Sequence, residues 1–154
     1  MDGVDTPVAI ALGSNVGDRE ATLNGAVAAL RPFIDNLRVS SFHETAYVGD
    51  EAQPPVLNGA LVGRTTVPAH ALLERLLAIE QQFGRTRPYG DAPRTLDLDL
   101  ILYGNDVIDE PGLIVPHPRF RERRFVLEPL AEIAGDWKDP VTGKTVRELL
   151  KQIG

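Results

Sequence analysis

Apolar residues along this chain fall in short blocks separated by turn-forming clusters. PVAIAL at 7–12 predicts a short buried strand, and GSNVGD follows it as a loop. Asp18 is placed to cap a helix over 19–34, with Leu23, Ala26, Val27, Leu30 and Phe33–Ile34 on one face and Pro32 near its end. Residues 37–47 alternate imperfectly and predict a strand, and 56–66 predict the next, antiparallel to it. Between them, 49–55 carries two prolines and two acids and reads as a loop. Pro68 opens a helix to Phe83 whose apolar positions 69, 72, 73, 76, 77 and 83 mark one face, with Gly84 as its stop. A second Pro/Gly loop, 85–95, precedes LDLDLILY at 96–103, the strongest strand pattern in the chain. A short strand at 107–108 follows. Residues 109–124 read as loop with one helical turn, 125–134 as a helix interrupted by Pro129, and 145–152 as a short helix. The order βαββαβ over 7–103 predicts an α+β, split-βαβ fold, with a mainly antiparallel sheet and helices on one face.

Composition narrows the function. The chain has 154 residues, 43% hydrophobic and 25% charged, as expected for one globular domain over 1–154. No apolar run is long enough to span a membrane, and the N-terminus carries no signal-like pattern, so a cytoplasmic location is expected. Cysteine is absent, which excludes thiolate catalysis and Cys-ligated metals. A net charge of -6 argues against nucleic-acid binding. The basic residues are thirteen Arg and three Lys, and seven of the Arg lie between 85 and 124. The rigid guanidinium fork suits phosphate oxygens. A solvated, ion-paired surface explains the same count, and composition alone favours that simpler explanation.

Candidate chemistry centres on Asp97 and Asp99. Two apart on a strand, they point to one face about 6.6–7 Å apart, while Leu96, Leu98, Leu100 and Leu102 take the other. Two carboxylates this close repel, and aspartate is a poor strand former, so a hard divalent cation such as Mg²⁺ is favoured over a plain solvated face. Arg85, Arg87 and Arg94 sit on the loop just before the pair, as a polyphosphate would require. Glu80 lies on the apolar side of its helix, either as a ligand contact or paired with Arg85 or Arg87. His117 is held between Pro116 and Pro118, to meet a phosphate or cap a turn; Arg121, Arg123 and Arg124 follow, with Phe125 behind them. His43 and His70 read as structural or exposed. GSNVGD lacks the spacing of a P-loop or a dinucleotide fingerprint.

Taken together, ALGSNVGDR, LNGA at 57–60, GRTR at 84–87, APRTLDLDLILYG at 92–104, VPHPR at 115–119 and RRFVLEPLAEI at 123–133 resemble the 6-hydroxymethyl-7,8-dihydropterin pyrophosphokinase family, in order and across nearly the whole chain. That resemblance implies a ferredoxin-like α+β enzyme of folate biosynthesis that moves the pyrophosphoryl unit of ATP to the pterin hydroxymethyl group and releases AMP. It implies two Mg²⁺ ions on Asp97 and Asp99. It assigns the pterin to Thr45, Tyr47, Val48, Asn58 and Phe125, the reacting phosphates to Arg85 and Arg94, and ATP to Glu80, Arg87, Leu100, His117 and Arg123. GSN at 13–15 matches a family motif taken as structural. A monomer acting on small molecules is expected.

The chain departs from the family pattern in its loops. PYGDAPRT has Tyr89 as its only aromatic where a Trp is frequent, Leu77 stands where some members carry Gln, and Val56 occupies a position that is often Tyr. Two rivals remain at this point. One is a ferredoxin-like regulatory module, which has no need of paired aspartates beside an Arg loop. The other is a metal-dependent phosphohydrolase, which normally recruits more acids or histidines to its metals.

Overall fold

The computed structural model describes residues 5–46, 54–83 and 96–153. Its centre is an antiparallel sheet built on β1 (Thr6–Ser14), flanked by β4 (Val56–Thr65) and β5 (Asp97–Tyr103). The far edge of β4 carries β2 (Asp35–Val39) and β3 (His43–Thr45) end to end, so the single strand expected over 37–47 is two pieces. Ser40 makes the break. Its N–H donates to Ala60 O (2.9 Å), but its hydroxyl, not a main-chain carbonyl, accepts from Ala60 N–H (2.9 Å). The ladder is satisfied while the chain bends.

Helix α1 (Arg19–Leu30) starts where Asp18 Oδ1 accepts from Ala21 N–H, and Pro32 falls in the 3₁₀ turn Arg31–Phe33 that ends it. Helix α2 is Ala69–Gln82. Both lie on one face, over Val8, Ile10, Leu12, Leu61, Leu98 and Leu100. The buried side of α2 is rotated from expectation: Ile79 and Glu80 are buried and Leu77 is 47% exposed. A β6–β7 hairpin (Ile108–Glu110 with Leu113–Val115) adds a strand that the loop-like composition of 109–124 concealed.

Within 7–103 the two helices share one face, as expected, and the other face is covered by elements that follow this unit. Helix α3 (Arg124–Ala134) covers it through Val126, Leu127 and Leu130, and α4 (Val146–Ile153) supports α3 through Val146 and Leu149. Pro129 sits buried inside α3 without ending it. The β1 residues beneath are Ala9 and Ala11, whose small size lets the helix approach closely. Arg121 joins the wholly buried Asp139 through two hydrogen bonds, Nε to Oδ2 (2.5 Å) and a terminal nitrogen to Oδ1 (2.9 Å), tying the turn before α3 to the segment before α4. No helix among the described residues is long and apolar enough to cross a membrane.

Candidate active site

A β-bulge on β5 ends the alternation that sets which side chains face the site. Ala9 pairs with Leu102 and Ile10 with Leu100, so Ile101 is the extra residue. Leu96, Leu98 and Leu100 enter the core under α1 and α2, while Ile101 and Leu102 both join the core under α3. Leu102 is therefore not on the face expected from strict alternation. Asp97 and Asp99 precede the bulge and face the α3 side by regular alternation, half-buried, beyond the apolar contacts that α3 makes.

Register then places the sequence candidates. Across four strands, Asp97 pairs with Gly13, Gly13 with Asn58, and Asn58 with His43. The next row is Asp99, Ala11 and Ala60. Asp97 and Asn58 thus share one face, separated by one glycine-bearing strand, or about 9.6 Å between backbones. Gly13 and Ala11 form a floor without side-chain bulk between them. Neither stood out as functional in the sequence, although Gly13 opens the GSN motif.

Asn58 is buried, and its amide nitrogen donates to Thr45 Oγ1 (2.8 Å), Val56 O (3.3 Å) and His43 O (3.4 Å). Its Oδ1 lies over Gly13, 3.7 Å from where a β-carbon there would stand. At the start of α3, Phe125 is 40% exposed, and the Arg123 guanidinium sits 5.5 Å from its ring centroid. An exposed aromatic on α3 and a buried, well-anchored amide on the sheet face that α3 covers suit a flat heterocycle with hydrogen-bonding edges.

The free edge of β5 is held at two points. Glu80, reaching from α2, accepts from Leu98 N–H (2.7 Å), between the two aspartates. Ile101 O, at the bulge, accepts from His117 N–H (3.0 Å). Glu80 therefore positions the carboxylate strand, a role that its place on an apolar helix side did not reveal. His117 Nδ1 accepts from Arg119 N–H (3.2 Å), which leaves the ring proton on Nε2. Burial lowers the His117 pKa, and Arg123 and Arg119 lower it further, against an opposing effect of Asp97. The imidazole is thereby kept as a neutral Nε2–H donor beside Asp97 and Arg123.

Other candidates are not in this group. Arg121 is engaged with Asp139 and Arg124 with Glu128 (3.1 Å). The Leu100 side chain is in the core on the opposite face. His43 and His70 do have acidic neighbours in space: His43 meets Glu132 and Glu128, and His70 meets Glu110. Tyr47, Val48, Arg85, Arg87 and Arg94, with the loops expected at 49–55 and 85–95, lie largely or wholly outside the described residues.

No group of three or more acidic or histidine side chains able to hold a metal occurs among the described residues. A pair of carboxylates nonetheless fits Mg²⁺, which keeps water and takes substrate phosphate oxygens alongside one or two protein carboxylates.

An antiparallel α+β sheet with paired aspartates on one face, and a neutral histidine donor and an arginine near them, suits a phosphate-bearing ligand. The family model for 7,8-dihydro-6-hydroxymethylpterin-pyrophosphokinase matches residues 9–135, and the chain belongs to that family. It is 45% identical over 146 residues to the 2-amino-4-hydroxy-6-hydroxymethyldihydropteridine pyrophosphokinase of Synechocystis, covering 94% of this chain and 74% of that one. It is 49% identical over 126 residues to the Bacillus subtilis protein of the same name, covering 80% and 75%. A solved Plasmodium falciparum HPPK-DHPS structure matches the fold with a TM-score of 0.77 at 14% identity, covering 97% of this chain and 44% of that one. This chain thus spans under half of that longer protein.

Proposed function

We propose that this chain transfers the pyrophosphoryl group of ATP to the hydroxymethyl group of 6-hydroxymethyl-7,8-dihydropterin, releasing AMP, as a Mg²⁺-dependent step of folate biosynthesis. The observation that carries this reading is the shared sheet face. Asn58 and Phe125 offer a place for the pterin, and Asp97 and Asp99 offer a place for the phosphates one strand away.

The hydroxymethyl oxygen attacks the β-phosphorus, the bond to the bridging oxygen of the α-phosphate breaks so that AMP leaves with that oxygen, and the hydroxyl proton passes to solvent. Charge is already heavy on the transferred group, so positioning and neutralisation dominate catalysis. Asp97 and Asp99 would hold the two Mg²⁺ ions, which neutralise phosphate charge when bound. His117 Nε2–H and Arg123 donate to ATP oxygens, Glu80 keeps the carboxylate strand in place, and the Asn58 amide orients the pterin edge. Arg85, Arg87 and Arg94, which precede the carboxylate strand in sequence, would supply further positive charge. The experiment is an assay of AMP release from ATP and Mg²⁺ with and without the hydroxymethylpterin. AMP is expected only when both substrates are present; ADP as the nucleotide product contradicts the proposal.

Two variants probe the division of labour. Phe125→Ala is expected to weaken pterin binding, by about 0.5–1.5 kcal/mol beyond the lost area, far more than ATP binding. Calorimetry with each ligand separately reads this, and equal losses would make Phe125 a packing residue. Arg94→Ala and Arg85→Ala are expected to slow single turnover by at least about tenfold, about 1.4 kcal/mol of barrier, with a smaller change in ATP affinity. Arg→Lys should rescue only partly, since the planar fork is lost. ATP affinity falling in step with the rate would instead make these residues ground-state clamps.

A further inference from the structure

Outside the site just described, one cluster of polar side chains joins two elements far apart in sequence. Ser41 donates to Glu132 through both its N–H and its hydroxyl, each at 2.9 Å. His43 Nε2 meets Glu132 Oε2 at 2.5 Å, and its Nδ1 faces Glu128 Oε1 at 3.5 Å. Every one of these contacts to a glutamate crosses from the β2–β3 segment to α3. Burial raises the Glu132 pKa, but the Ser41 and His43 hydrogen bonds outweigh it and hold the group below its ordinary value as a carboxylate acceptor.

The order of the contacts carries the argument. Passing from Ser41 to His43 on the strand side moves from Glu132 towards Glu128 on the helix side, so β3 and α3 run antiparallel through the cluster. Two strand residues advance about 6.6–7 Å, and four helix residues about 6 Å, so the two rises nearly match. The next strand step on the same face is Thr45, which accepts from Asn58. The next helix step towards the N-terminus is Arg124, which pairs with Glu128, and Phe125 lies next to it, three residues before Glu128. Among the described residues, the cluster thus joins β3, which carries Thr45 beside Asn58, to the part of α3 that leads to Phe125.

We propose that Ser41, His43 and Glu132 form a clasp that fixes the spacing between the Thr45–Asn58 edge and the Phe125 face, so that His43 and Glu132 are positioning residues for the pterin. This rests on the pterin assignment above. Strand β3 is only three residues long, and its strand pairing is with β4 alone among the described residues, so its distance from α3 needs an added restraint. The His43 and Glu132 side chains are 27% and 34% exposed, so the clasp adds little to global stability and acts mainly on local geometry. Holding a binding site at its bound spacing raises affinity by removing an ordering cost.

The test is calorimetric titration of the whole chain with hydroxymethyldihydropterin in the presence of a non-hydrolysable ATP analogue, and with the analogue alone. His43→Leu and Glu132→Ala are each expected to weaken pterin binding about five- to tenfold while analogue affinity stays within about twofold. His43→Gln, whose amide can still donate to Glu132, should recover most of the loss. If His43→Leu fails to fold, Glu132→Ala alone supplies the comparison. Unchanged pterin affinity in His43→Leu and Glu132→Ala, or parallel losses for both ligands, overturns the clasp. Asn58→Ala runs alongside. If it lowers pterin affinity and the clasp variants do not, the clasp alone fails. If it too leaves pterin affinity intact, the pterin assignment fails and the clasp with it.

Discussion

Replacing Asp97 or Asp99 by alanine is expected to lower turnover by at least ~10³-fold, about 4 kcal/mol of transition-state stabilisation, and to leave the fold intact. Both side chains are half-buried on the α3 face of β5, and neither fills the apolar core. Their strand is held from its backbone, at Leu98 N–H by Glu80 and at Ile101 O by His117 N–H, and these bonds do not depend on the carboxylates. Loss of charge at the phosphates thus separates from loss of structure. Steady-state AMP release in saturating Mg²⁺, beside a thermal melt, reads the two effects independently. Near wild-type turnover in either variant contradicts the assignment of these residues to the metals.

Arg121→Ala is expected to be the most damaging substitution for stability rather than chemistry. Asp139 is wholly enclosed, and burial alone would raise its pKa. Hydrogen bonds from Arg121, Val141 N–H and the Thr142 hydroxyl outweigh burial and hold it below the ordinary carboxylate range. A depressed folded-state pKa contributes stability at pH above the unfolded value, and that contribution is lost as pH falls through the folded value. Removing Arg121 strands a buried carboxylate at a cost of about 3 kcal/mol, at the low end for such pairs because Arg121 is a quarter exposed. The melting temperature should fall by about 6–12 °C at neutral pH, and the loss should shrink in acid as Asp139 becomes protonated in both proteins. A melting temperature within a degree or two of wild type at pH 7 would contradict this.

The carboxylate pair was legible in the sequence because a period-2 pattern needs no tertiary knowledge: Asp97 and Asp99 alternate with Leu96, Leu98 and Leu100. The same rule failed at Leu102, since the bulge at Ile101 arises from pairing with β1 and leaves no local mark. Helix α1 announced itself through Asp18 and a regular apolar stripe. The break at Ser40 did not, because it depends on a hydroxyl substituting in the ladder at Ala60. The second covered face was hidden because Pro129 weakened the helix pattern of α3 and the small residues Ala9 and Ala11 do not advertise what packs on them. Glu80 was visible as an inward carboxylate, but its bond to the Leu98 backbone N–H could not be read, because a main-chain donor carries no residue identity. His43 and Glu132 are 89 residues apart, so no spacing rule could join them.

The most direct test of the proposed reaction follows one phosphorus atom. With ATP labelled at the β-phosphate, Mg²⁺ and hydroxymethyldihydropterin, the label is expected to leave with the pterin as its diphosphate ester, one equivalent for each unlabelled AMP formed. Label retained in ADP, or released as inorganic phosphate or pyrophosphate in step with turnover, would contradict pyrophosphoryl transfer to the pterin at this site.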